Sequence, residues 1–357
     1  MTQRLFSGIV LRFHNPVKYH CIRPDCANHA ANLPEEAARK LEFRCFLCQS
    51  ELVPPPVPLE KIVDAVDALP AAIQIMPKLQ ILLSDANSSI SDIIELIKTD
   101  ASLVSRIVKA GNSAYFAGSY YCSTIEDAMN RIGFTKAYNI IGFVAASQLF
   151  QQDLPLYGIT SDELWSSSVR GATSMQVIGS KLRIMSPYVL PTSGVAYTVG
   201  LLRAVGKMLI NFYHGMHSIP ALSSLEGTLT EEKEKSLLGF NNREAAGALL
   251  SKWHFQEEVV SPIFHQDEPL ECEKVKSLAC LLTLVSQGIE DLPVDKLIET
   301  PKSLRGAFKP DAGLSSVINL MPKTLLHGLA ESAMDFFAFS NNLDIEGIQD
   351  ESVDFGG

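Results

Sequence analysis

The sequence predicts a mainly all-α chain preceded by a small β-rich module. Three observations predict it. Beyond residue 58, apolar residues recur at helical spacing and no strand–helix–strand alternation appears. Before residue 53, the apolar runs are short and rich in β-branched and aromatic residues. Between them lies VPPPVP, Val53 to Pro58, a stiff polyproline-type spacer that marks a boundary.

The elements follow in order. In residues 1–52, FSGIVLRF and KLEFRCFLC read as strands, and HNP and RPDC as turns. After the linker at 53–58, a helical domain spans 59–290. Ile90, Ile93, Ile94 and Ile97 lie on one helical face, with Ser89 as N-cap and Asp92 in the first turn. DASLVSRIVKA is a second helix, with Leu103, Ile107 and Ala110 inward and Gly111-Asn112 ending it. STIEDAMNRIG is a third, capped by Thr124 and stopped by Gly133. TKAYNIIGFVAASQLF is apolar on most sides, so it belongs at the centre. Helices continue through ELWSSSVRGATSMQVIGSKL, AYTVGLLRAVGKMLINFYH, REAAGALLSKW, EEVVSPIFHQ and CEKVKSLACLLTLVSQ. Residues 291–340 form a C-terminal helical extension broken by Pro293, Pro301, Pro310 and Pro322. The tail 341–357 is acidic and expected to be flexible.

Charge narrows the function classes. The net charge is −10, and no Lys or Arg follows Lys323. Such a chain is poorly suited to broad contact with a phosphate backbone, so nucleic acid is disfavoured as a partner. A basic face of Arg4, Arg12, Lys18, Arg23 and Arg44 on the N-terminal module would be the exception. No apolar run reaches the roughly 18 residues of a membrane-spanning helix, and the N-terminus lacks a signal-peptide cleavage pattern. The expectation is a cytoplasmic protein without a membrane partner.

Four of the seven cysteines fall at Cys21, Cys26, Cys45 and Cys48, as a C-x4-C and a C-x2-C pair separated by eighteen residues. Cys122, Cys272 and Cys280 stand apart and read as small buried hydrophobes. Two tight turns, each offering two thiolates, can place four soft ligands at the corners of a tetrahedron. FRCFLCQSEL resembles the second knuckle of zinc-ribbon proteins, while the first pair is wider than the usual C-x2-C. The expectation is one structural Zn2+ per chain, because four protein ligands leave no open position for a substrate. Reduced cysteines without metal are the alternative. His20 and His29 rank below the four thiols as ligands.

Other residues converge on a family. ALPAAIQIMPKLQILLSD, ISDIIELIKTDASLVSRIVKAGNSAYF with its Asn112-Ser113-Ala114 triplet, and STIEDAMNRIGFTKAYNII are followed by GLLRAVGKMLI and REAAGALLSKWHFQEEVVSPIFHQ. From about Leu69 to Leu282 the chain resembles the HDOD family, the divergent bacterial relatives of the metal-dependent HD phosphohydrolases. Ala71-Ala72 departs from the family's second proline. HD chemistry needs imidazoles and carboxylates converging on a metal that activates water. By the resemblance, Ser167 stands where the first His would be and Arg203-Ala204 replaces the His-Asp pair. Arg243 replaces the next His, and His265 alone remains. A lone histidine cannot hold a catalytic divalent ion, and two guanidiniums raise the electrostatic cost of one.

The resemblance therefore implies a non-catalytic bacterial signal-transduction or regulatory protein. It would act by binding protein partners or a small ligand. Arg203, Arg243 and His265 are candidates for a pocket taking a nucleotide or another anionic ligand. The alternative for the arginines is pairing with Asp or Glu, or snorkelling to the surface. Two other functions stay open. One is a metal-dependent phosphohydrolase with a site rebuilt near His214, His217 and His265. The other is a nucleic-acid-binding regulator acting through the N-terminal module. Ser166, Ser167 and Ser168 carry no sign of a nucleophile elbow.

Overall fold

The computed structural model describes residues 18–21, 23, 25–29, 33–50, 52–53, 57–65, 71–84, 87–113, 116, 120–149, 152–185, 193–222, 225, 227–292 and 309–342. Several sequence expectations lie outside them: the FSGIVLRF strand, Arg4 and Arg12, residues 54–56 of the proline spacer, Ala114, Pro293, Pro301 and the tail beyond 342.

The N-terminal module is a three-stranded antiparallel sheet of β1 (Lys18–Cys21), β2 (Leu33–Pro34) and β3 (Leu52–Val53), in the order β2-β1-β3. Tyr19 pairs with Leu33, and Cys21 with Leu52. Helix α1 (Glu35–Lys40) follows β2. KLEFRCFLC is not a strand. EEAARK consists of good helix formers, and the chain then reverses through Glu42 and Phe43 at φ of 50° and 56°. The turn is closed by Phe43 N–H donating to Ala38 O at 2.9 Å. A positive φ is incompatible with an extended strand. Tyr19, Cys21, Ala38, Cys45 and Leu52 form a small apolar cluster of their own.

All other described elements are helices around one large core. Helix α2 (Leu59–Asp64) is bound to a distant part of the chain by Lys252 Nζ, which donates to Val63 O at 3.1 Å. Helix α3 (Ala71–Ser84) precedes α4 (Ile90–Ile97), which opens on a capping box in which Ser89 and Asp92 each satisfy the other's backbone N–H. Ile93, Ile94 and Ile97 are buried, whereas Ile90 in the first turn is exposed. In α5 (Ala101–Gly111), Leu103, Ile107 and Ala110 are fully buried. Helix α6 (Ile125–Ile132) runs from Thr124 as N-cap to Gly133 at φ 76°. Helix α7 (Phe134–Leu149) buries Ala137 to Ile141.

Helix α8 (Ser161–Met185) is 25 residues long. Helix α9 (Ser193–Leu202) crosses it, a tight turn at Arg203-Ala204 follows, and α10 (Val205–His217) leads away. Two glycines make the crossing. A Cβ on Gly200 would lie 2.4 Å from Gly171 O, so only bare backbone fits there. Gly206 meets the next helix pair in the same way, since its Cβ would fall 1.8 Å from Asn242 O. Then come α11 (Glu231–Leu238), α12 (Asn242–Lys252), α13 (Glu257–Phe264) and α14 (Lys276–Asp291).

At the C-terminal side, α15 (Ala312–Val317) and α16 (Pro322–Asn342) contribute Leu314, Leu325, Leu329 and Ala333 to the same core. Pro322 begins α16 instead of breaking a helix, as suits a residue lacking an N–H. Helix α16 packs on α8 through a Ser174–Ser332 hydroxyl pair at 2.5 Å and a Lys181–Glu331 ion pair. The one stretch among the described residues apolar and long enough to cross a membrane, Ser193–His217, is mostly buried. Its apolar character is that of a core element. Cys122, Cys272 and Cys280 are likewise buried.

Candidate functional site

Strand β1 and the turn after it carry Cys21 and Cys26; the turn between α1 and β3 carries Cys45 and Cys48. The sheet brings these turns together, and the four sulfurs lie within 4.8 Å of one another. Cys21 Sγ is 3.4 Å from Cys48 Sγ, and Cys26 Sγ is 3.7 Å from Cys45 Sγ. A zinc tetrahedron with Zn–S bonds of about 2.3 Å has edges of about 3.8 Å, so the spacing suits the ion. All four thiols are free.

The second knuckle is built by Gln49 at φ 61°, whose N–H donates to Cys45 O at 2.8 Å. Cys45 N–H donates to Ser50 O at 2.7 Å. Asn28 Nδ2 donates to Cys45 Sγ at 3.3 Å. Burial acts to raise the Cys45 thiol, but it is outweighed by the backbone N–H groups of Cys48 and Leu47 and the Asn28 amide. Together they bring it down to about 6. Burial dominates at Cys21 and pushes that thiol up to about 12. Turn N–H groups aimed at sulfur are the outer hydrogen bonds a metal thiolate needs. His29 donates from Nδ1 to Cys21 O at 2.7 Å and so braces the site. Arg23 of the expected basic face is paired with Asp25 at 2.8 Å.

The arginines lie in the helical core. Arg243 opens α12, whose start is fixed by the buried carboxylate of Glu234. Glu234 accepts from Asn242 N–H at 2.7 Å and from Tyr157 Oη at 2.7 Å. The Arg243 guanidinium pairs with Glu231, with Asp267 at 2.9 Å and with Glu268 at 3.8 Å. Burial alone would lower the Arg243 pKa; these carboxylates overcome it and raise it. Burial, and a hydrogen bond shared with Glu231, carry Asp267 up to about 6 in spite of Arg243.

Arg203 occupies the turn between α9 and α10. Its nearest carboxylate among the described residues is Glu290 of α14, 4.0 Å from Nη1. Across from it, α8 supplies Arg170, 7% exposed, whose Nη2 donates to Leu292 O at 3.4 Å. Burial, reinforced by repulsion from Arg203, lowers Arg170 to about 10. Burial also lowers Arg203, with Glu290 opposing. Among the described residues, Arg203 and Arg243 share no ion-pair partner. Arg170 is the functional candidate that sequence reasoning missed. It stands 33 positions before Arg203, and no spacing rule links them.

His265 closes α13, its Nδ1 donating to Ser261 O at 2.9 Å. The residues after it, Asp267 and Glu268, are the ones that reach Arg243. Ser167 Oγ donates to Leu164 O at 3.1 Å, and Ala204 precedes α10 with no side-chain cap.

The HDOD domain family matches residues 69–269, more than half of the 357-residue chain. The chain belongs to the HDOD family. An uncharacterized protein of Treponema pallidum (strain Nichols) is 24% identical over 255 residues, 70% of this chain and 47% of that protein. The chain thus spans about half the length of that relative. Among solved structures, one assigned by name to signal transduction, from Marinobacter aquaeolei VT8, has TM-score 0.59 and 21% identity. It covers 81% of this chain and 62% of its own. An HDOD domain protein from Geobacter sulfurreducens has TM-score 0.56 and 22% identity, covering 80% of this chain and 96% of its own. One named for phosphohydrolase activity, from Shewanella amazonensis SB2B, has TM-score 0.53 and 21% identity, covering 79% of this chain and 97% of its own. At these identities the likeness shows the fold.

Within this HDOD domain, His214 and His217 do not converge with His265. The ring of His214 accepts from Ile219 N–H at 3.0 Å, which caps α10, and His217 stacks on Tyr213 at 4.7 Å. Among the described residues, the four cysteines are the group of three or more His, Cys, Asp or Glu side chains placed to hold a metal ion.

Proposed function

We propose that this HDOD chain is a non-catalytic regulatory protein of bacterial signal transduction, acting in the cytoplasm by binding a protein partner or a small anionic ligand. The observation that carries this reading is Arg243. Its guanidinium is held by Glu231, Asp267 and Glu268 at a position where the HD resemblance calls for a metal ligand. Those carboxylates already hold a side-chain cation, so a divalent ion would have to displace it. Arg203 brings a second positive charge, and Ser167 and Ala204 offer no imidazole or carboxylate. The name of the Marinobacter neighbour agrees with a signalling role.

The cysteine module fits one structural Zn2+. Cys21, Cys26, Cys45 and Cys48 would hold it, and the ion would supply cross-linking to a sheet whose apolar cluster is small. Phe46 and Leu47, at the tip of the second knuckle, are each 55% exposed and available to a partner. Arg23 is neutralised, which speaks against a nucleic-acid face.

Two assays test the reading on the full chain. With Mn2+ or Mg2+ present, linear nucleotides and cyclic dinucleotides are expected to remain intact. Turnover that is lost in His265→Ala would overturn the non-catalytic assignment. Affinity capture from cells of origin is expected to retain a specific protein, and a variant lacking residues 1–58 is expected to retain less of it.

A further inference from the structure

Two like charges brought to one place inside a protein repel each other, and buried guanidiniums are normally surrounded by acceptors. Arg170 and Arg203 both reach the end of α14, at Leu292 and Glu290, and among the described residues they are not so surrounded. Arg170 is 7% exposed and has one long hydrogen bond, at 3.4 Å, to the carbonyl of Leu292 just past the end of α14. Arg203 has a side chain 11% exposed. Its Nε is buried with no hydrogen-bond partner. Its one carboxylate neighbour among the described residues, Glu290, stands 4.0 Å away with its own side chain 70% exposed. That distance exceeds a hydrogen bond. One turn earlier on the same face of α14, Ser286 Oγ is also buried without a partner. The α14 C-terminus adds only partial negative charge. Among the described residues, two full positive charges therefore face one loosely held, solvent-exposed negative one.

The backbone around them has been kept bare. Gly171, the residue after Arg170, has no side chain, and a Cβ there would stand 3.2 Å from Arg203 Nε. By contrast, Arg243 in the same fold is matched by three carboxylates. The two arginines that replace HD-type polar positions thus differ in kind: one is neutralised and the other is not.

We infer that Arg170 and Arg203, with Ser286 beside them, form a binding site for a small oxyanion of the phosphoryl class, reached from the side where Glu290 meets solvent. The oxygens of a phosphoryl group accept well from Arg203 Nε and Nη and from Arg170, and the Ser286 hydroxyl donates a fourth hydrogen bond to them. Glu290 acts as the resident counter-ion that an incoming anion displaces. The inference deepens the small-ligand part of the proposed function and rests on that reading. It does not depend on a protein partner.

The test is titration calorimetry of the full chain with inorganic phosphate and, separately, with a nucleoside monophosphate, in chloride buffer of fixed ionic strength. Wild type is expected to bind at least one of the two saturably. Binding of the monophosphate alone would place the phosphoryl group on a nucleotide. Binding of both with similar affinity would place recognition in the phosphoryl group itself. Arg203→Met is expected to lose at least tenfold in affinity. Glu290→Gln, an exposed change that leaves the core untouched, is expected to bind several-fold more tightly. If Arg203→Met does not fold, the Glu290→Gln result decides. Absence of binding by both wild type and Glu290→Gln overturns the inference, as does unchanged affinity in a folded Arg203→Met. Neither result would touch the non-catalytic assignment, which fails only on turnover.

Discussion

Gly200 passes over Gly171 so closely that a Cβ on it would stand 2.4 Å from the Gly171 carbonyl oxygen. This contact sets the crossing of α8 and α9, and so the positions of Arg170 and Arg203 beside it. Backbone cannot yield as a side chain can. Gly200→Ala should therefore lower the unfolding free energy by about 3 kcal/mol, at the upper end of overpacking costs. Gly215, on α10 with nothing within 4 Å of its Cβ position, is the control. Gly215→Ala should stabilise by about 0.5 kcal/mol. Urea denaturation of the two variants measures the contrast.

Asn112 joins the end of α5 to the segment before α6. Its Oδ1 accepts from Cys122 N–H at 2.8 Å, and its Nδ2 donates to Cys122 O at 2.8 Å and Val108 O at 3.1 Å. This bracket explains the asparagine of the Asn-Ser-Ala triplet without any ligand. Asn112→Ala should cost about 2 kcal/mol, because it strands backbone groups of the buried Cys122. Ser113, whose hydroxyl makes one local bond to Ala110 O at 2.7 Å, should lose well under 1 kcal/mol as Ser113→Ala. Thermal unfolding would separate them.

Asp267 gives a pH signature. Burial and its shared hydrogen bond with Glu231 carry its pKa to about 6, above the usual value of about 4. An acid whose folded pKa is raised binds its proton more tightly in the folded state. Its contribution favours folding at low pH and is lost as pH rises from about 4 to about 6. Asp267→Asn cannot titrate, so its stability relative to wild type should improve across that window. The change should be about 1 kcal/mol, since the side chain is half exposed and its interactions are screened. A difference that stays level from pH 4 to 7 would show that Asp267 is not shifted.

Much of the fold was legible where its cause is local. The Ser89–Asp92 capping box, the Thr124 cap and the Gly133 stop each lie within a few residues of the helix they bound. The cysteine quartet was legible for the same reason: its ligands arrive as two close pairs. KLEFRC misled because its β-forming residues sit in a turn whose shape is fixed by hydrogen bonds back to α1. Ile90 fits the apolar stripe yet is exposed, because the first turn of α4 projects past the core. The arginines needed three dimensions. Arg243 draws its carboxylates from α11 and from the segment after α13. Arg170 and Arg203 reach the same end of α14 beside the close contact of Gly171 with Gly200.

The metal proposed for this chain would be held by the N-terminal cysteines and not by the HDOD core, and metal content per chain tests that most directly. Purified wild type and a Cys45→Ser/Cys48→Ser double variant, both exposed to Zn2+ and Mn2+ and then desalted, would be compared by elemental analysis. The predicted result is one zinc per wild-type chain, none in the variant, and no retained manganese in either. A transition metal that stays bound after the two cysteines are gone would contradict the account, because it would have to be held by the helical domain.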